Sequence, residues 1–230
     1  MKVLDEWMKL LLTSQGITNK SLSTALKKLV RGKIRTVFIP TAANEAAGDK
    51  RWLVEHYNDF INLGTLDIVD ISALDKKEWL PRLKKANVIC IGGGNTAYLI
   101  AKVRESGLDK ELPSLLKTRI YVGISAGSII TGGSIASSTA YIFSANPNRA
   151  PAGLSYVDFY VRSHYKEKAH PEFNDRKLAA AAKRLNGDMY ALDDNSGLLY
   201  INGKVRVISE REWRLFRFKN KFMEFRKSMP

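Results

Sequence analysis

Short apolar runs alternate along the first half of the chain with segments whose apolar residues recur every three to four positions. The runs predict β-strands at residues 10–13, 35–40, 65–69, 87–91 and 120–122. The periodic segments predict helices at residues 22–30, 49–63, 79–84 and 96–105, because this spacing places apolar side chains on one helix face. Strands that alternate with helices form a mostly parallel sheet covered on both faces. The pattern therefore predicts an α/β fold, a single three-layer sandwich.

The second half of the chain has a different pattern. Residues 133–156 are rich in Ser, Asn, Ala and Pro and show neither period, so they predict a long loop of the kind that is often functional. A strand at 158–162, a helix at 174–185 and strands at 198–200 and 205–207 follow. Asn202 and Gly203 favour a tight hairpin turn between the last two strands. We expect residues 1–230 to form one domain, with 1–7 as an extension and 204–230 as a basic, aromatic C-terminal segment.

The composition is that of a folded globular protein, with 45% hydrophobic and 26% charged residues. The single cysteine, Cys90, lies in an apolar run, which excludes a disulfide framework and a cysteine-based zinc site. No apolar stretch approaches the roughly 18 to 20 residues of a membrane helix. Asp5, Glu6 and Lys9 interrupt what would be the apolar core of a signal peptide. We therefore expect a cytoplasmic protein without a membrane anchor.

The net charge of +14 suggests a polyanionic partner such as nucleic acid. Most of the surplus lies in two end segments, residues 13–44 and 204–230, and the stretch between them is nearly balanced. The second segment interleaves aromatic residues with Arg and Lys, which suggests a surface for stacking and phosphate binding. These residues are Trp213, Phe216, Phe218, Phe222 and Phe225. Because aromatic side chains more often pack inside, a non-catalytic protein that binds nucleic acid is the less favoured alternative.

Residues 123–127 read Gly-Ile-Ser-Ala-Gly and match the pattern G-x-S-x-G between a predicted strand and a predicted helix. A serine on such a sharp turn is pushed out at the carboxyl edge of the sheet, and the flanking glycines let the backbone reverse. Ser125 is therefore the candidate nucleophile, and the backbone amide of Ala126 is a candidate oxyanion-hole donor. The alternative is a serine that only caps the helix.

A second glycine turn, Gly92-Gly93-Gly94-Asn95-Thr96, follows the strand at 87–91. With Ala97 it fits the loose dinucleotide pattern G-x-G-x-x-A. The acid that this pattern requires after the next strand is absent, and no phosphate-loop lysine follows. We therefore predict no cofactor. The amides of the turn either complete an oxyanion hole with Ala126 or simply link a strand to a helix.

A serine nucleophile needs a general base, and the chain has three histidines. His56 lies within a predicted helix, His164 follows a predicted strand, and His170 lies in the loop beyond it. His164 is favoured because a strand end holds a base more rigidly than a loop does. His164, His170 and Glu172 match no zinc spacing, so we predict no metal site.

The acid that would orient the imidazole has three candidates. Asp193 and Asp194 follow a short apolar run, which favours a place at the same sheet edge. Asp158 lies near the start of the strand that leads to His164. Asp158 could therefore point away from His164, and we take Asp194 as the orienting acid, with Asp193 and Asp158 as the alternatives.

Three motifs, in their order and spacing, resemble the serine peptidases that include dipeptidase E and cyanophycinase. They are the Gly-Gly-Gly-Asn-Thr turn at 92–96, the Gly-Ile-Ser-Ala-Gly-Ser elbow at 123–128 and the Ser-His-Tyr at 163–165. The resemblance covers about residues 8 to 205 and implies a flavodoxin-type sandwich like the class I glutamine amidotransferases. It also implies Ser125 as nucleophile, His164 as base, and an oxyanion hole from Gly93 and Gly94 with Ala126.

Dipeptidase E cleaves after an N-terminal aspartate, so the resemblance implies a small acidic peptide as substrate. Asn95 and Arg176 are the substrate-binding residues it suggests, with Arg176 as a carboxylate clamp. The chain departs from dipeptidase E in the loop after the nucleophile, where Ser137-Ser138-Thr139-Ala140 stands in place of a segment with an Asp. We predict a monomeric or homodimeric serine dipeptidase specific for N-terminal aspartate, with a hydrolase of β-aspartyl peptides as the alternative.

Overall fold

A seven-stranded sheet forms the centre of the computed structural model, which describes residues 8–218. Its strands are β1 (Lys9–Thr13), β2 (Ile34–Ile39), β3 (Gly64–Ile68), β4 (Val88–Ile91), β5 (Ile120–Ile124), β8 (Ser196–Ile201) and β9 (Lys204–Ser209). They lie in the order β3-β2-β4-β5-β1-β8-β9. The pairs from β3 to β1 are parallel, and β8 and β9 are antiparallel additions. The predicted mostly parallel sheet is thus confirmed.

Helices cover both faces of this sheet. They are α1 (Lys20–Leu29), α2 (Arg51–Ile61), α3 (Lys76–Lys85), α4 (Thr96–Glu105), α5 (Leu108–Leu115), α6 (Ala126–Ile129) and α7 (Asp175–Leu185). Side chains alternate across each buried strand: Ile89 and Ile91 of β4 pack with α3, α4 and α5, whereas Val88 and Cys90 pack with α1 and α2. This alternation produces the three layers that the sequence predicts.

A second, three-stranded sheet lies beside the first. It consists of β6 (Tyr160–Arg162), β7 (Met189–Leu192) and β10 (Trp213–Phe216), in the order β10-β7-β6. β6 and β7 are parallel, and β10 is antiparallel to β7. Helix α7 packs on this sheet through Leu178, Ala181 and Leu185. The sequence pattern does not predict this sheet, because its strands are short and pair across distant segments.

Connections between the elements show where the local patterns succeed and fail. Asn202 and Gly203 have φ values of 49° and 79°, so the predicted hairpin turn is confirmed. Residues 133–156 contain only the short 3-10 helix Pro147–Arg149 and an isolated bridge between Ser134 and Ala152. Helix α5 is not among the predicted elements, and Pro113 lies inside it.

Within residues 8–218, no helix combines the length and the apolarity needed to cross a membrane.

Candidate active site

The candidate site lies where the carboxyl ends of the two sheets meet. Ser14 follows β1 and Ser125 follows β5, and these two strands are parallel neighbours in the large sheet. One residue separates His164 from the end of β6, and one residue separates Asp194 from the end of β7. These two strands are parallel neighbours in the small sheet. Parallel strands bring residues at their carboxyl ends to one edge. Each sheet therefore contributes one pair of residues to the site.

Ser125 occupies a sharp turn between β5 and α6. Its φ of 47° and ψ of −105° are costly for a residue with a side chain and persist only where the surrounding structure imposes them. Close packing explains the flanking glycines: a Cβ at Gly127 would stand 2.0 Å from the Ile91 carbonyl oxygen, and one at Gly123 would stand 2.7 Å from the Ser128 nitrogen. The predicted G-x-S-x-G elbow is thus present in the structure.

A chain of hydrogen bonds links Ser125, His164 and Asp194. Ser125 Oγ lies 3.1 Å from His164 Nε2, and His164 Nδ1 lies 2.7 Å from Asp194 Oδ1. A carboxylate at Nδ1 leaves Nε2 free to accept a proton from the serine hydroxyl. The arrangement matches the geometry of a serine nucleophile with a base and an orienting acid.

Ser14 ties the carboxylate and the histidine together. Its hydroxyl donates to Asp194 Oδ1 at 2.8 Å and accepts from the backbone N–H of His164, also at 2.8 Å. The Asp194 N–H donates to Glu167 Oε1 at 3.1 Å. Burial favours the protonated form of Asp194, but the hydrogen bonds from His164 and Ser14 and the charge of His164 outweigh it and lower the pKa of Asp194. The carboxylate therefore stays ionised at neutral pH.

The other two candidate acids lie in different surroundings. Asp193 is buried, and its carboxylate accepts hydrogen bonds from Ser196 Oγ at 2.6 Å and from the Glu212 N–H at 2.7 Å. It thus holds the turn between β7 and β8. Asp158 is exposed and precedes β6. Of the three predicted acids, the structure brings only Asp194 to His164.

The glycine turn after β4 lies beside the nucleophile. A Cβ at Gly93 would be 3.3 Å from Ser125 Cβ, and Gly93, Gly94 and Asn95 all line the cavity that contains Ser125. Ala126 is the first residue of α6, so its N–H lies ahead of the hydrogen-bond ladder of that helix. The Asn95 side chain caps α4 by accepting from the Tyr98 N–H at 3.0 Å.

The cavity around Ser125 has a volume of about 1030 Å³. Its walls combine small and aromatic side chains with charged groups of both signs. The lining includes Gln15, Glu45, Ala46, Trp52, His56, Thr139, Arg162, Glu167, Lys168 and His170. Arg176 lies exposed on the first turn of α7 and does not line the cavity, so the structure does not bring this predicted clamp to the site. Arg162 is an arginine in the wall that the sequence pattern does not single out.

The two other histidines also border the cavity. His56 is 2% exposed, packs against Phe38 and Trp52, and burial lowers its pKa to about 4. His170 stacks on His164 with ring centroids 5.0 Å apart. Within the described part of the chain, no group of three or more His, Cys, Asp or Glu side chains is placed to hold a metal ion.

The aromatic residues of the C-terminal segment pack partly on the body of the protein. Phe216 is buried in the core beneath the small sheet, and Trp213 packs against the main core. Phe218 is 40% exposed. Phe222 and Phe225 lie outside the described residues. The strand β10 thus uses Phe216, and part of the Trp213 side chain, for packing.

Comparison with known proteins now identifies the class of the molecule. The profile of peptidase family S51 matches residues 10–208, most of the chain. The protein is therefore a serine-type peptidase, a hydrolase. It belongs to peptidase family S51.

Curated relatives agree with this assignment. The uncharacterized peptidase Lmo0363 of Listeria monocytogenes is 28% identical over 211 residues, covering 88% of this chain and 98% of the relative. Peptidase E of Nostoc sp. is 26% identical over 215 residues, covering 89% of this chain and 81% of the relative. The predicted resemblance to the dipeptidase E group is thus confirmed.

Solved structures share the fold. A crystal structure from Listeria monocytogenes EGD-e superposes with a TM-score of 0.71 at 21% identity, covering 88% of this chain and 98% of that one. A peptidase from an acI-B1 Actinobacterium superposes with a TM-score of 0.72 at 16% identity, covering 93% of each chain. The predicted flavodoxin-type, amidotransferase-like architecture is confirmed by this similarity.

Proposed function

We propose that this S51 peptidase hydrolyses dipeptides with an N-terminal aspartate, using Ser125 as nucleophile, His164 as general base and Asp194 as orienting acid. The observation that carries the proposal is the hydrogen-bonded chain from Ser125 Oγ through both nitrogens of His164 to Asp194 Oδ1, at 3.1 and 2.7 Å. Ser125 stands on the elbow of β5 and opens into the large cavity.

In the proposed reaction, His164 Nε2 takes the proton from Ser125 Oγ as that oxygen attacks the scissile carbonyl carbon. Asp194 accepts a hydrogen bond from Nδ1 and stabilises the imidazolium that forms. Backbone amides of Gly93 or Gly94 and of Ala126 hold the negative oxygen of the tetrahedral intermediate, aided by the N-terminus of α6. His164 then protonates the leaving amine, and a water molecule repeats the steps to release the acyl group.

The charges around the cavity support a small zwitterionic substrate. Glu45 and Glu167 line it and are candidates for binding the free amine of a dipeptide. Arg162 and Lys168 line it as well and supply positive charge for a carboxylate. The Nostoc relative named peptidase E supports a peptidase activity.

A dipeptide panel tests this function. Asp-Leu, Glu-Leu, β-Asp-Leu and Ala-Leu would be incubated with the full chain, with Ser125→Ala, and with Ser23→Ala as control. The Ser23 hydroxyl donates to the Lys20 carbonyl on α1 and does not line the cavity. We expect Asp-Leu to be cleaved fastest and Ser125→Ala to lose at least about 10⁴-fold in kcat. Equal rates for Ser125→Ala and wild type would overturn the mechanism. Faster cleavage of β-Asp-Leu or Ala-Leu would overturn the aspartate specificity.

A further inference from the structure

Arg162, at the carboxyl end of β6, is a buried cation in the wall of the active-site cavity. Only 1% of the residue is exposed, yet it lines the cavity together with Ser125 and His164. The same segment continues through Ser163 to His164, so the guanidinium and the proposed base leave one strand end. Removing a cation from water is costly unless an anion offsets the loss. The groups around Arg162 therefore indicate whether the protein itself supplies this anion.

Neutral groups hold the guanidinium in place. Nε donates to the Ser163 carbonyl at 2.8 Å, and Nη1 donates to the Ser137 carbonyl at 2.9 Å and to Thr139 Oγ1 at 3.4 Å. The group also lies over the ring of Phe173, with Cζ 3.9 Å from the ring centroid. These contacts fix the orientation of the guanidinium, and none of them pairs it with a carboxylate.

The cation has no carboxylate partner in residues 8–218. None of the ion pairs in this range includes Arg162, and its Nη2 donates no hydrogen bond to any residue there. Burial lowers the pKa of Arg162 to about 9, against the opposing charge of Glu172, so the group is still cationic at neutral pH. An oriented donor edge with a positive charge is thus available at the cavity wall.

We propose that Arg162 is the specificity-determining residue of this site and that its Nη2 edge binds the side-chain carboxylate of the substrate's N-terminal acidic residue. The proposal rests on the proposed dipeptidase function and names the residue that selects the substrate. A planar guanidinium matches the geometry of a carboxylate, and a buried cation distinguishes this group from the neutral amide of asparagine.

A stack of planar groups connects Arg162 with the proposed base. His170 stacks on His164 at 5.0 Å and on Phe173 at 5.3 Å, and Phe173 in turn supports the Arg162 guanidinium. The stack keeps the carboxylate-binding group and the proton-accepting group in a constant spatial relation. A substrate anchored at Arg162 would thereby present its scissile carbonyl in a reproducible position.

Arg162→Gln and Arg162→Lys test the proposal with the substrates Asp-Leu and Asn-Leu. We expect Arg162→Gln to lower kcat/KM for Asp-Leu about 100-fold and to change that for Asn-Leu by less than about 3-fold, because only the acidic side chain loses a charge-assisted partner. Arg162→Lys keeps the charge without the planar fork and should give an intermediate loss. Arg206→Gln, on the exposed face of β9, is the matched control and should behave as wild type. A ratio of the two substrates that is unchanged in both Arg162 variants would overturn the proposal.

A third substrate separates the two carboxylates of a dipeptide. The amide of Asp-Leu lacks the C-terminal carboxylate and keeps the side-chain one. We expect Arg162→Gln to reduce its hydrolysis as strongly as that of Asp-Leu. If Arg162→Gln impairs cleavage of Asp-Leu but not of the amide, the arginine binds the C-terminus and the proposal is wrong.

Binding of free L-aspartate gives a readout that needs no turnover. Calorimetry with the full chain should show L-aspartate binding at least about 10-fold more tightly than L-asparagine, and this preference should disappear in Arg162→Gln. Aspartate binding that depends on Arg162, in a protein that cleaves no dipeptide, would contradict the proposed function alone. If Asp-Leu is cleaved and the Arg162 variants keep the wild-type preference for Asp-Leu over Asn-Leu, only the proposed role of Arg162 is contradicted.

Discussion

Two residues of the proposed triad have backbone conformations that are unusual for residues with side chains. Ser125 has a φ of 47° and His164 a φ of 61°. Both are anchored to the end of β1: the Ser125 N–H donates to the Thr13 carbonyl at 3.0 Å, and the His164 N–H donates to Ser14 Oγ at 2.8 Å. Such strain persists only where neighbouring contacts impose it. The end of β1 is therefore the common support of nucleophile and base.

Asp194→Asn tests the choice among the three predicted acids. An amide at this position cannot stabilise the imidazolium of His164 and favours the wrong tautomer, so we expect kcat to fall by about 10⁴-fold. Steady-state kinetics on Asp-Leu, with circular dichroism to verify folding, would measure the effect. Asp158→Asn, at an exposed position outside the cavity, should retain full activity. A larger loss in Asp158→Asn than in Asp194→Asn would contradict the assignment.

The sequence predicts site residues well where the signal is local. Ser125 could be found because strand, serine turn and helix follow one another directly. Ser14 could not, since its partners are separated from it by as many as 180 residues. Arg162 resembled an ordinary polar position on a strand, and only the fold reveals that its surroundings are buried. Arg176 could have been excluded from periodicity, because Leu178, Ala181 and Leu185 define the buried face of α7.

At the scale of elements, the elbow between β5 and α6 depends on how closely it packs against β4. Gly127 lies against the Ile91 carbonyl, and the Tyr121 hydroxyl donates to the Gly127 carbonyl at 2.6 Å. The two atoms nearest to a Cβ at Gly127 are backbone atoms of Ile91, so a methyl group at this position has no space to occupy. The elbow thus shapes the site and also holds the sheet and helix together.

Gly127→Ala should therefore destabilise the fold. We expect a decrease of about 3 kcal/mol in the free energy of unfolding, within the usual range for overpacking, measured by urea denaturation. Gly133→Ala is a suitable comparison, because a Cβ at that position would meet no atom within 4 Å. A Gly127→Ala protein as stable as Gly133→Ala would show that the elbow relaxes without cost.

A helix or strand can be predicted from the sequence where its own pattern of apolar residues is strong. The buried strands of the large sheet are continuous apolar runs, such as Val88–Ile91, and they stand out in the sequence. The short strands of the small sheet do not, since β6 has three residues and β10 includes Arg214 between apolar neighbours. Their pairing depends on packing with α7, which is a tertiary effect.

For the whole molecule, the buried His56 and the half-buried Asp59, both on α2, give the free energy of unfolding opposite responses to pH. Burial lowers the pKa of His56 to about 4 and raises the pKa of Asp59 to about 6. Between pH 4 and 6.5 the unfolded chain binds a proton at His56 that the folded chain does not, so this residue makes stability rise with pH. Asp59 keeps its proton longer in the folded chain, so it makes stability fall as pH rises from about 4 to 6.

Single substitutions should separate the two effects. Asp59→Asn leaves His56 acting alone, and the free energy of unfolding should rise between pH 4.5 and 6.5 more steeply than in wild type. His56→Gln removes the His56 contribution, which can reach about 3 kcal/mol between pH 4 and 6.5. In this variant the free energy of unfolding should rise less steeply with pH than in wild type, or fall. Urea unfolding at several pH values would measure both. Identical pH profiles for the two variants and wild type would contradict the burial of these groups.

The charge of the whole molecule bears less on function than its value of +14 suggests. The cavity itself is lined by Glu45, Glu167 and Asp194 as well as by Arg162 and Lys168, so charges of both signs surround the nucleophile. The α/β class and its layers follow from patterns spread along the chain. The position of the site between two sheets does not follow from such patterns, because it depends on which distant strands pair.

The position of β1 inside the sheet has a consequence for biosynthesis. Thr13 of β1 bonds to Gly123 of β5 across 110 residues, and Ser14 reaches Asp194 across 180. A growing polypeptide on the ribosome therefore carries β1 as an apolar segment without its parallel partner until β5 has emerged. Contacts of such long range slow folding. Because Asp194 lies 180 residues beyond Ser14, the hydrolytic centre can assemble only after the segment with β7 and Asp194 has been synthesised.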